Sequence, residues 1–157
     1  MSKTISAGRT PKIVIETIGG DLSLVGWEGD DILLKADEEE LRINQDGEQV
    51  TVSCSDDLSL RVPKAASIFI AHIGGDASVR SLTGDIELKE IGGDLSLRDV
   101  NSVAIETVHA DFSLRGARGH LFIKNANSDV SIREVDGNVT LETVADDLAL
   151  RDVRGNV

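Results

Sequence analysis

Aromatic side chains are nearly missing from this chain. Among 157 residues there are only Trp27, Phe69, Phe112 and Phe122. That argues against an aromatic-lined sugar groove and against a platform for stacking bases. Cysteine is missing except for Cys54, so there is neither a disulfide frame nor a thiolate zinc site. Positive charge is scarce: the formal net charge is −12. Phosphate binding needs a basic footprint, so nucleic acid is not an expected partner. No apolar run approaches membrane-spanning length, so no membrane insertion is expected. The N-terminal stretch MSKTISAGRTPK has no apolar core of signal-peptide length. A cytoplasmic location is therefore expected for the chain as it stands. A chain trimmed of an export signal would look identical, and its place would then be the cell surface.

What is present is a regular beat. The phrase GGDLSLRDV and its variants return with an aspartate at Asp21, Asp57, Asp76, Asp94, Asp111, Asp129 and Asp147. The last five gaps are 19, 18, 17, 18 and 18, and the first is 36, or two beats. A repeat this short is one supersecondary unit that buries its apolar face only by stacking on its neighbours. In the unit from Asp129 to Asp146, counting Asp129 as position 0, apolar residues fall at 1, 3, 6, 10, 12 and 15 (Val130, Ile132, Val135, Val139, Leu141, Val144). Alternation within each triplet is the two-residue period of a strand with one buried face. The jump from 3 to 6 requires a bend, and Gly84, Gly119, Gly137 and Gly155 mark a corner. The same 1, 3, 6 pattern recurs at 10, 12, 15, so each coil is two nine-residue halves. Apolar spacing, β-branched content and recurrent glycine all argue against helix.

The expected fold is all-β: a β-solenoid of about 18 residues per coil, with like positions stacked about 4.8 Å apart. Leu95, Phe112, Val130 and Leu148 form one interior column; Leu97, Leu114, Ile132 and Leu150 form another. A single domain over 1–157 is expected. Residues 1–12 form an N-terminal cap, in which Pro11 cannot donate a ladder hydrogen bond. Residues 57–157 form regular coils, the last incomplete. The stretch 38–56 fits a degenerate coil or a β-hairpin turning at Asp46-Gly47; the 36-residue gap favours the coil.

Three outward columns stand on the first face of each coil: aspartate at position 0, serine at position 2 (Ser23 through Ser131), and arginine at position 4. The arginines are Arg61, Arg80, Arg98, Arg115, Arg133 and Arg151. They read either as a stripe for an anionic or glycan ligand, or as a solvated ladder relieved by the position-5 acids Asp99, Glu134 and Asp152 or by bound counter-ions. On the second face, position 13 alternates in sign: Lys89, Glu106, Lys124, Glu142. Opposite charges on adjacent strands attract by roughly 0.2–1 kcal/mol per pair, and a one-coil slip would juxtapose like charges, so the column specifies register. Position 11 should be polar if that face meets water. It is Glu87 and Thr140 in some coils but Val14, Leu33, Phe69, Ala104 and Phe122 in others. A strand apolar on both faces is usually covered on both. The cover is either the chain's own N-terminal segment or hairpin, or a second protein surface.

Catalysis has no foothold, because no nucleophile has a base and an orienting partner at matching ladder positions. His72, His109 and His120 fall at positions 14, 16 and 9 and do not stack into a triad, so no metal site is read from them. The acyltransferase left-handed helix has an apolar period of six; here it is nine. The calcium-binding repeat G-G-x-G-x-D is approached only at Gly19-Gly20-Asp21, Gly74-Gly75-Asp76 and Gly92-Gly93-Asp94. No cofactor is implied.

From Leu58 to Val100 and onward, the chain resembles the putative-adhesin β-solenoid domains of bacterial envelope and cytoplasmic proteins. The likeness rests on the step Val62-Pro63-Lys64 that opens the regular coils, on the recurring glycine-aspartate corners, and on the apolar triplets between them. It implies a right-handed single-stranded β-helix and no established catalytic role. Bactofilins, cytoplasmic β-solenoids that polymerise end to end, are a more distant parallel. The expected function is a non-enzymatic scaffold that self-associates or binds another protein. Its contacts would be the strip Val14, Leu33, Phe69, Ala104 and Phe122, or the open coil edge at Val157. The alternative is an adhesin-like surface binding an anionic or glycan ligand through the aspartate, serine and arginine ladders.

Overall fold

The computed structural model describes residues 2–6, 11–29, 31–36 and 41–156. In chain order its strands are β1 (Ser2–Ser6), β2 (Lys12–Ile18), β3 (Leu22–Trp27), β4 (Asp31–Ala36), β5 (Leu41–Asp46), β6 (Gln49–Cys54), β7 (Leu58–Pro63) and β8 (Ser67–Ile73). Then follow β9 (Ala77–Arg80), β10 (Ile86–Ile91), β11 (Leu95–Val100), β12 (Val103–Val108) and β13 (Phe112–Ala117). The last four are β14 (Leu121–Ala126), β15 (Val130–Val135), β16 (Val139–Val144) and β17 (Leu148–Val153). No helix occurs among the described residues. Two open, mostly parallel sheets result. The first runs β1-β4-β7-β3-β9-β11-β13-β15-β17, and the second β16-β14-β12-β10-β8-β2-β6-β5. The all-β, solenoid-like expectation holds.

From β8 onward the chain alternates between the sheets, and like positions stack rung on rung. Leu95 pairs with Phe112, Phe112 with Val130, and Val130 with Leu148. These offsets match the beat. Within each strand, residues that face inward alternate with residues that face outward, the consequence of the two-residue period. The inward columns meet as one core, and every buried side chain among the described residues is apolar. The bend between positions 3 and 6 is made at position 5. Ser81, Asp99, Glu134 and Asp152 have φ of 62°, 51°, 58° and 56°, and Gly116 stands in the same column with φ 82°. In the five coils that contain β9, β11, β13, β15 and β17, the left-handed conformation reverses the pleat on the first sheet, which brings position 6 inward beside position 3.

The N-terminal half departs from simple stacking. Strands β2 and β3 form a coil that lies between the coil of β6 and β7 and the coil of β8 and β9. Spatial order is therefore not chain order. After β3 the chain leaves to form β4, antiparallel to β7 and to β1, and then β5, antiparallel to β6. Residues 41–54 are a hairpin whose two-residue turn is Gly47-Glu48, one residue on from the expected Asp46-Gly47, so the coil reading favoured by the 36-residue gap is corrected. The gap arises because the coil of Asp21 and the coil of Asp57 are neighbours with two antiparallel strands laid on the edges between them in sequence. The step Val62-Pro63-Lys64 is the crossing that carries the chain past the β2–β3 coil. Pro63 stands beside Trp27 in register, the Lys64 N–H donates to the Trp27 carbonyl at 3.0 Å, and the Ser67 N–H donates to the Pro11 carbonyl at 3.0 Å.

Candidate binding surfaces

The position-0 aspartates are occupied by the fold itself. The Asp76 N–H donates to Asp21 Oδ1 at 2.9 Å, the Asp94 N–H to Asp76 Oδ1 at 2.8 Å, and the Asp111 N–H to Asp94 Oδ1 at 2.9 Å. The series starts with the Asp21 N–H on Asp57 Oδ1 at 2.8 Å and ends with the Asp147 N–H on Asp129 Oδ1 at 3.2 Å. One carboxylate oxygen thus ties each corner to the next. The preceding glycine makes room for it, since a Cβ on Gly93 would collide with Asp76 Oδ1. The GGD phrase is explained by this contact. Asp94→Ala is expected to destabilise the fold by about 1.5–3 kcal/mol, the range for a hydrogen bond to a charged group, and Asp94→Asn, which keeps the oxygen, by much less. Equal losses for the two in urea denaturation would remove this role. Asp129, Asp146 and Asp147 also bring carboxylate oxygens within 4.8 Å of one another, all exposed.

The second set of corners is tied differently. The Asn138 N–H donates to His120 Nδ1 at 2.9 Å, the Asn156 N–H to Asn138 Oδ1 at 2.9 Å, and the His120 N–H to Ser102 Oγ at 3.3 Å. His120 is therefore a corner acceptor, away from the other two histidines. His72 and His109, in contrast, converge on Glu90: His109 Nε2 lies 3.0 Å from Glu90 Oε1, and His72 Nδ1 lies 3.9 Å from Glu90 Oε2. Asn127 Nδ2 meets His109 Nδ1 at 3.1 Å. Counting positions missed this cluster because it compared the histidines with one another. The register of Glu90 with His72 carried the signal.

On the outer face of the first sheet, Arg80, Arg98, Arg115, Arg133 and Arg151 stand on five consecutive rungs. Arg61 is separated from them, because Val25 pairs with both Arg61 and Arg80. All six arginines are exposed. Among the described residues none has an ion-pair partner; the pairs present are Lys64–Glu28, His72–Glu90, His109–Glu90 and Arg154–Asp136. The expectation that position-5 acids relieve the ladder is corrected. Their left-handed backbone turns Asp99, Glu134 and Asp152 to the side of the coil, where they line a groove with Asp136, Arg118 and Arg154. Neighbouring ladder cations about 4.8 Å apart repel by roughly 1 kcal/mol per pair in water before salt screening. A serine row (Ser78, Ser96, Ser113, Ser131) runs beside them.

The outer face of the second sheet carries the apolar strip. In spatial order position 11 reads Thr51, Val14, Phe69, Glu87, Ala104, Phe122 and Thr140. Phe122 is 37% exposed, and Val14 and Phe69 are half-buried. Phe69, Glu87, Ala104 and Phe122 line a shallow groove of about 440 Å³ rimmed by Lys12, Asp85 and His120. Lys89 lies over the Phe69 ring, its Nζ 5.7 Å from the centroid. Leu33 does not belong here. It sits on β4 in the first sheet, opposite Arg61 and Thr4, and its assignment to the strip is corrected. Val157 lies outside the described residues. Of the expected internal cover, β1 and the β5–β6 hairpin extend the sheets sideways at their edges and do not lie over this face; residues 7–10 lie outside the described residues.

Solved structures align with this chain over its whole length. One is a putative adhesin of Parabacteroides distasonis, at 8% identity, covering 100% of this chain and 96% of that one, with a TM-score of 0.32. Another is a putative adhesin of Parabacteroides merdae, at 14% identity, covering 100% and 95%, with a TM-score of 0.29. No protein-family profile and no curated protein matches the sequence. At these identities and scores the likeness assigns no role to any residue. Among the described residues no helix is long and apolar enough to cross a membrane.

Proposed function

We propose that the chain is a non-enzymatic assembly module, a right-handed β-helix whose coil length is that of the sequence beat, and that it self-associates through the outer face of its second sheet. Right-handed winding is supported by the strong bias of parallel β crossovers to that hand. The observation that carries self-association is the charge column Lys89, Glu106, Lys124, Glu142 beside Ala104 and Phe122. These residues stand on the neighbouring strands β10, β12, β14 and β16, and among the described residues none of the four closes an ion pair. A column of alternating sign and even length is complementary to itself when reversed. Two copies packed face to face about a two-fold axis parallel to the strands reverse the column. Lys89 then meets Glu142 of the second copy, Glu106 meets Lys124, and Phe122 sits over Ala104. That is an isologous interface with a small apolar centre and a polar rim. Four strands about 4.8 Å apart, each about 20 Å long, give a patch of about 400 Å² per copy. This falls short of the roughly 800 Å² per partner of a standard interface, so the dimer is weak and concentration-dependent.

The test is mixing. A fully inverted variant (Lys89→Glu, Glu106→Lys, Lys124→Glu, Glu142→Lys) keeps the alternation within each chain. Wild type and variant should each dimerise in sedimentation equilibrium, while mixed dimers should be at least tenfold rarer than random pairing. A strict monomer at all concentrations, or mixed dimers at the random level, would overturn the proposal. The unpaired arginine column favours a second role, for the opposite sheet: recognition of an anionic or glycan ligand. Back-to-back dimers would leave both arginine faces free.

A further inference from the structure

We infer that the first sheet binds a linear acidic polysaccharide with one carboxylate per sugar, laid along the column Arg80, Arg98, Arg115, Arg133 and Arg151. This rests on the ligand-recognition reading of that face. Three observations give the ligand its shape and chemistry. The five arginines recur at the strand spacing, about 4.8 Å, close to the length of one pyranose unit in an extended chain. Each carboxylate on the side of the chain turned to the sheet can therefore meet a guanidinium group of the rung beneath it, which is able to form a two-point contact.

The positive stripe is one side chain wide. The aspartate column flanks it on one side, with all of its members exposed; on the other side the coil turns away and carries Asp99, Glu134 and Asp152 into the neighbouring groove. A broad polyanion such as duplex nucleic acid would lie over the aspartate row of a chain already at −12, whereas a single-file ligand meets only the arginines. The outward positions between the aspartates and the arginines are Ser78, Ser96, Ser113 and Ser131. Their hydroxyls can donate to and accept from sugar hydroxyls. No aromatic side chain stands among these columns to stack on a neutral sugar, so charge has to select the ligand.

The experiment uses the full chain and polygalacturonate at low salt, read by calorimetry, with a neutral glucan, inorganic sulfate and a single-stranded oligonucleotide as comparisons. Wild type should bind polygalacturonate and not the glucan, with affinity falling as salt rises. The triple variant Arg98→Ala, Arg115→Ala, Arg133→Ala should lose at least tenfold in affinity with an unchanged circular dichroism spectrum. Arg42→Ala, an exposed cation on β5 at the edge of the second sheet, should bind like wild type. Binding retained by the triple variant overturns the inference, as does equal binding of the oligonucleotide. If sulfate binds through the same arginines and polygalacturonate does not, anion recognition survives and the polysaccharide assignment fails. Binding of neither removes both.

Discussion

Phe112→Ala should lower stability by about 3–5 kcal/mol, the cost of truncating a fully buried phenylalanine. Phe112 is 1% exposed and is the only aromatic among the buried residues described. It sits on the rung between Leu95 and Val130 in an interior column. The neighbours cannot close over the space it would leave. Each rung is held at the strand spacing by backbone ladders in both sheets and by the corner bonds of Asp94, Asp111 and Asp129. A cavity therefore persists, and the lost contacts add to the lost transfer energy. In a stacked protein the effect should also be directional, because each coil contacts only its neighbours. Amide exchange should quicken most in β13, β15 and β17, whose attachment to the rest runs through this rung. Phe122→Ala, on the exposed face, should cost the isolated chain less than about 1.5 kcal/mol, the low end for a large apolar side chain taken fully out of water. A loss at Phe112 no larger than at Phe122, measured in urea, would mean that the core relaxes and that the ladders do not fix its spacing.

Gly26→Ala should be nearly as damaging, for a different reason. A Cβ at this position would run into the Ser81 carbonyl oxygen, with Lys64 Cβ 3.0 Å away. Ser81 belongs to the next coil, and Lys64 to the crossing that passes the β2–β3 coil, so the obstruction is backbone and cannot swing aside. Overpacking usually costs about 1–3 kcal/mol, and the upper end of that range or more is expected here, where main chain must shift. The shift would have to open the place where three segments of chain converge. Val25→Ala, one residue away on the half-buried outer face, should cost less than about 1.5 kcal/mol, because only part of its side chain leaves water on folding. Comparable midpoints for the two variants would show that the crossing is loose.

The columns of this fold were legible because a two-residue period states which side of a strand a residue faces, and a regular beat states which residues share a column. The interior ladder of Leu95, Phe112, Val130 and Leu148 and the serine and arginine rows follow directly. So does the Lys/Glu alternation on the other face. The candidate binding surfaces were legible only in part. That the arginines form a row could be counted; that the neighbouring acids do not pair with them could not. The difference lies in one backbone angle per coil, at Asp99, Glu134 and Asp152, which turns those side chains to another side.

By itself the sequence determined a stacked, two-faced all-β coil with one apolar interior, because local pattern is enough to say what points inward. Only the tertiary structure decided the order in which coils stack. Every coil presents nearly the same columns, so the β2–β3 coil fits against β6–β7 and β8–β9 as well as it would at the end of the stack. Side-chain pattern cannot break that degeneracy. It is broken by long-range contacts: the antiparallel strands β4 and β5 on the sheet edges, the Val62-Pro63-Lys64 crossing, and the absence of room at Gly26. These same contacts place Leu33 on the first sheet and leave Val14, Phe69, Ala104 and Phe122 together on the second.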